Sequence, residues 1–122
     1  ADYYTERNFS LLPTGKLLSV ANSKLDYRTK KTYVYSDKND DNLVLNGEGY
    51  RKVAELEGKT SGIKMELYTD QPGVQLYNTD SQVCLETQHY PDSIHFENFP
   101  SIVLNANEEY YSKTCYKFTK SA

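Results

Sequence analysis

Along this chain, short runs of alternating apolar and polar residues are separated by turn residues. Ile63, Met65 and Leu67 alternate with Lys64 and Glu66. A period of two puts every second side chain on one face, so this run predicts a half-buried strand. Val74 and Leu76 continue the pattern beyond Gln71-Pro72-Gly73. Residues 16–20, 83–86 and 101–104 are further strand-like runs. Near the end, Tyr110, Ser112, Thr114, Tyr116 and Phe118 fall on one strand face, with Tyr111, Lys113, Cys115 and Lys117 on the other. Residues 50–56 fit a short helix or a strand, stopped by Gly58. Residues 36–41 read as a polar, acidic loop. Pro13-Thr14-Gly15, Asn46-Gly47-Glu48-Gly49, Ser61-Gly62, Gln71-Pro72-Gly73 and Asn105-Ala106-Asn107 mark turns. Short strands at this spacing predict an all-β antiparallel sandwich or barrel. There is no repeat and no low-complexity tract to suggest an array.

Composition narrows the picture. A chain of 122 residues is one domain or part of one. The hydrophobic fraction is only 38%, but 12 tyrosines and 4 phenylalanines supply large rings. Tyrosine buries its ring while its hydroxyl keeps a polar partner, which suits a β core with polar openings. The net charge is -3 and the basic residues are scattered, which argues against a nucleic-acid partner. Lys30-Lys31 reads as a solvated pair. No apolar run of membrane-spanning length is present, so no membrane partner is expected. The start, Ala1-Asp2-Tyr3-Tyr4, lacks the pattern of a signal peptide and lacks Met, so a cut or processed chain in the cytoplasm is expected. Cys84 and Cys115 fit two free thiols, or one disulfide if their strands are neighbours. Two Cys and two His at these spacings do not make a zinc site, so no metal is expected.

Candidate chemistry concentrates in Val83-Cys84-Leu85-Glu86-Thr87-Gln88-His89-Tyr90-Pro91-Asp92-Ser93. One carboxylate, Glu86, stands among uncharged neighbours at the end of a strand. Desolvation there would raise its pKa toward working pH. A strand-end Glu taken alone is more often simply solvated.

The same run resembles the segment that carries the catalytic glutamate of the aldose 1-epimerase (galactose mutarotase) family. The resemblance extends along the chain in family order. It begins at Asn8-Phe9-Ser10-Leu11-Leu12-Pro13-Thr14-Gly15-Lys16 and runs through Leu25-Asp26-Tyr27-Arg28 and Asp40-Asp41-Asn42-Leu43-Val44-Leu45. It continues through Ser61-Gly62 to Gln71-Pro72-Gly73-Val74-Gln75-Leu76-Tyr77, then Asn98-Phe99-Pro100-Ser101, and closes from Glu108-Glu109-Tyr110 to Tyr116-Lys117-Phe118. It implies a galactose-mutarotase-like β-supersandwich, of which residues 1–122 form a C-terminal portion as one domain. It also implies interconversion of the α and β anomers of aldohexoses such as galactose or glucose, by acid-base ring opening without cofactor. The family's base maps onto Glu86, its hydroxyl-binding aspartate onto Asp40, and the glutamine before Pro-Gly onto Gln71 as a sugar contact.

Departures from the family pattern matter equally. The family's acid histidine lies in an N-terminal portion that this chain does not match, so an N-terminal half, covalent or on a second chain, is the expected partner. His89 and His95 do not match the acid's motif, and Asp41 stands where the family usually has His. Only residues 78–82 span an interval that holds a long loop in the family. The alternative is a catalytically incomplete carbohydrate-binding or structural module.

Overall fold

The computed structural model describes residues 1–121. Eight strands carry the fold: β1 (Tyr3–Arg7), β2 (Pro13–Ser19), β3 (Asp40–Val44), β4 (Arg51–Glu57), β5 (Ile63–Thr69), β6 (Gly73–Asn78), β7 (Val83–Gln88) and β8 (Thr114–Lys120). Single 3-10 turns occur at Tyr35–Asp37 and Ser93–His95. One sheet has the order β2-β1-β3-β6-β7 and the other β4-β5-β8, and all the pairings are antiparallel.

The period-two pattern decides what each sheet buries. In β6, Val74 and Leu76 point inward, and Gln75 between them faces outward. Leu43 of β3 joins the same buried face and Leu67 of β5 answers from the other sheet. Val20, Leu25 and Leu45, just outside strands, complete this core, with Tyr4, Tyr27, Tyr33, Val53, Ala54, Val83 and Leu85 packed around it. Two sheets with a shared apolar interior make a sandwich. A cavity of about 130 Å³ remains between them, lined mainly by Leu25, Tyr33, Leu43, Val53, Leu76 and Leu85.

Several expectations about strands and cysteines are settled here. Residues 50–56 form a strand, not a helix, with a bulge near Val53 where the β4–β5 register shifts. Asp40 and Asp41 are not loop residues but open β3, because they pair with Tyr77 and Leu76 of β6. Residues 101–104 form no strand within residues 1–121, and the last strand starts at Thr114 rather than Tyr110. Cys84 and Cys115 lie on different sheets, and both thiols are free. No helix among the described residues is long and apolar enough to cross a membrane.

Candidate active site

Three adjacent strands at one end of the larger sheet, β3, β6 and β7, assemble one polar face through their registers. Asn42 of β3 lies opposite Gln75 of β6, which lies opposite Glu86 of β7. Two residues along, Asp40 is opposite Tyr77 and Gly73 is opposite Gln88. Successive strand side chains alternate between faces, so Asp40, Asn42, Gln75, Glu86 and Gln88 share the face turned away from the core.

Hydrogen bonds run across this face. Gln88 Nε2 donates to Asn42 Oδ1 at 2.9 Å and to Gln75 Oε1 at 2.7 Å. With its carbonyl thus occupied, Gln75 turns its amide toward Asp40, and Nε2 donates to Oδ1 at 2.9 Å. One carboxylate oxygen of Asp40 is held while the exposed side chain still faces solvent. Gly73 makes room for this arrangement. A Cβ there would stand 2.6 Å from Asn42 Oδ1 and 3.0 Å from the Tyr90 ring.

Glu86 is exposed at the centre of the outer strand of this group. The desolvation expected from Cys84, Leu85 and Thr87 is therefore not supplied within residues 1–121. Leu85 and Thr87 lie on the opposite face of β7 from the carboxylate. Beside Asp40, Asp41 is turned to Arg7, whose Nη2 lies 3.3 Å from its Oδ1.

Gln71 sits in the β5–β6 turn and is buried. Its Nε2 donates to Tyr110 Oη at 2.9 Å and to Ser112 Oγ at 2.6 Å. Its side-chain bonds thus tie down the C-terminal segment and do not reach Asp40, Gln75 or Glu86. The structure brings Asp40 and Glu86 onto one face and leaves Gln71 out of that network. Gln75 takes the bridging position, which the sequence reading missed. Its signal was present: a polar residue between Val74 and Leu76 on an apolar strand must face away from the core.

The histidines stand apart from this network. His95 pairs with Asp92 on an exposed turn, and His89 is half-buried just beyond β7. The described residues contain no cluster of three or more His, Cys, Asp or Glu suited to a metal.

The β6–β7 connection is a tight turn, with Thr79 N–H donating to Gln82 O at 3.0 Å and Asn78 paired with Val83. A mouse galactose mutarotase is 32% identical over 143 residues, which cover 98% of this chain and 42% of that protein. Human galactose mutarotase is 30% identical over the same span, with the same coverage. An aldose 1-epimerase from Streptococcus thermophilus is 24% identical over 131 residues, 86% of this chain and 38% of that protein. The chain thus spans about two fifths of the length of these relatives. The solved GalM/aldose epimerase homologue from C. elegans superposes with a TM-score of 0.89 over 100% of this chain and 44% of its own, at 22% identity, and so shares the fold. The sequence profile of the aldose 1-epimerase family matches residues 1–117, and the chain belongs to that family.

Proposed function

We propose that this chain is the portion of a mutarotase that carries the base and part of the sugar-binding surface. It would act on aldohexoses such as galactose or glucose. The observation that carries the reading is the register that puts Asp40, Gln75 and Glu86 on one face of three adjacent strands. A flat, polar, hydrogen-bonded face of this kind suits a ligand rich in hydroxyls. Asp40 accepts hydrogen bonds from sugar hydroxyls, and charge-assisted bonds are the stronger ones. Gln75, with its amide oriented by Gln88, supplies the neighbouring contact. Gln71 serves this reading better as a support for residues 110–112 than as a direct contact.

Glu86 takes the proton of the anomeric hydroxyl. The oxygen's electron pair forms the carbonyl as the bond from the anomeric carbon to the ring oxygen breaks. The ring oxygen takes a proton from an acid. Rotation about the adjacent carbon-carbon bond and reclosure on the other carbonyl face yield the second anomer and return both protons. Each acid or base of this kind contributes about 10² to 10⁴-fold. The acid is assigned to an N-terminal half, because His89 and His95 share no hydrogen bond with the polar face. The same half would cover Glu86 and give its carboxylate the drier setting that residues 1–121 leave open.

Polarimetry on freshly dissolved α-D-galactose tests the assignment. Glu86→Gln in the complete enzyme is expected to lower kcat by about 10² or more. Unchanged activity in that variant would sink the base assignment. The exposure of Glu86 favours a second reading for residues 1–122 taken alone, that of a weak sugar-binding module without turnover.

A further inference from the structure

β7 carries Glu86 but is a sheet edge among the described residues, bonded only to β6. The Thr79–Gln82 bond fixes the phase of that pairing. Bonded pairs alternate in an antiparallel ladder, so Gln75–Glu86 and Gly73–Gln88 exchange main-chain bonds, while the main chain of Leu85 and Thr87 faces the open edge. Asn78 N–H, which donates to Asn39 on the β3 side, agrees with this phase.

β8 of the other sheet reaches this open edge with side chains. Tyr116 Oη donates to Leu85 O at 2.6 Å. Thr114 Oγ1 lies 2.8 Å from Thr87 Oγ1 and 2.9 Å from Thr69 Oγ1. Thr69 is fully buried, as is Leu67, which lies opposite Tyr116. The two contacts therefore come from β8, which is paired to the buried interior strand β5 of the smaller sheet, and they grip the residues on either side of Glu86.

We infer that Tyr116 and Thr114 are positioning residues for Glu86, a clasp from β8 that sets where β7 holds the carboxylate. The inference rests on the proposed role of Glu86 as base. Asp40 and Gln75 lie on β3 and β6, which the clasp does not touch, so it acts on the base and not on the binding groups. A displacement of about 1 Å at a reacting group is enough to slow a reaction about 10²-fold. Burial and the charge of Glu86 both hold the Tyr116 hydroxyl above its ordinary pKa, so it stays a donor at neutral pH.

Tyr116→Phe and Thr114→Val in the complete enzyme test this by steady-state polarimetry, with thermal melts alongside. Each is expected to lower kcat about tenfold with KM within about twofold, and the control Tyr111→Phe is expected to leave both unchanged. Wild-type kcat in Tyr116→Phe, with a lowered Tm only, would overturn the clasp and leave a structural hydrogen bond. A rise in KM without change in kcat would overturn it too. Glu86→Gln run in parallel separates the cases: retained activity there defeats the base assignment itself. Should Tyr116→Phe fail to fold, Thr87→Val removes the β7 side of one contact, and the same kcat criterion applies.

Discussion

At the scale of single residues, Gly73 is where the backbone and the polar face constrain each other most. Its missing side chain admits Asn42 Oδ1 and the Tyr90 ring, which a Cβ would meet at 2.6 and 3.0 Å. Asn42 Oδ1 is also the acceptor that holds Gln88. Gly73→Ala is therefore expected to cost about 1–3 kcal/mol, read as a lower urea midpoint, because both neighbours are packed and neither is a loose chain end. An unchanged midpoint would mean that Asn42 and Tyr90 shift freely. The residue scale is also where the sequence was both most and least legible. Glu86 stood out because it is a lone charge in an apolar-polar run, and Asp40 through its motif. Gln75 did not, because its role comes from register: only pairing with Asn42 and Glu86 puts it between the two carboxylates. Gln71 drew attention through its place before Pro-Gly, yet its burial against Tyr110 and Ser112 depends on a segment about 40 residues away.

At the scale of elements, strands with clean alternation were readable, and those that depend on neighbours were not. β5 and β6 follow from their own patterns. β3 starts with two aspartates that predict a loop, and pairing with β6 overrides that preference. The reverse holds for residues 101–104, which have strand pattern but no strand to pair with among residues 1–121. The turns are fixed by side chains as much as by glycine. Arg51 donates to the carbonyls of Asn46, Gly47, Gly49, Thr69 and Gln71, clipping the turn before β4 to the turn before β6. A lysine has a single charged nitrogen and no planar fork, so Arg51→Lys is expected to lose about 1–3 kcal/mol in chemical denaturation. A loss below about 0.5 kcal/mol would show that water replaces the clip. On the outer face of β4 and β5, Lys52 and Lys64 flank Glu55. Hydrogen bonds from Lys52 and then Lys64 hold the Glu55 carboxyl down to about 2, from 4.5. A depressed folded pKa means stability present above the unfolded value and lost as pH falls toward about 2. Thermal melts should show a Tm gap between wild type and Glu55→Gln at pH 7 in low salt. The gap should close below pH 4.5 and shrink in high salt, since these charges are exposed. A gap of constant size down to pH 2 would exclude the ion pairs as its source.

At the scale of the whole molecule, the described residues leave several large apolar side chains exposed. Val103 and Phe118 are 60% and 64% exposed, and Phe9, Leu11, Ile94, Ile102 and Leu104 are exposed as well. Isolated exposed apolar residues are ordinary, but consecutive ones such as Ile102, Val103 and Leu104 mark a contact surface. β2, β4, β7 and β8 each have one unpaired side among residues 1–121, and unpaired edges seek partners. Relatives more than twice as long, together with an exposed Glu86, give these features one reading. The N-terminal half proposed above would pair the edges, cover residues 102–104 and bring the acid to the sugar. Residues 1–122 alone are then expected to leave the mutarotation of α-D-galactose at its spontaneous rate and to bind a dye that reports exposed apolar surface. The complete enzyme is expected to accelerate the reaction and to bind little dye. A 14.0 kDa species, its mass checked intact, that accelerates mutarotation by itself would defeat the assignment of the acid to another segment. His89 and His95 would then be the first residues to replace, because they are the only histidines in the chain and neighbour the strand that bears Glu86.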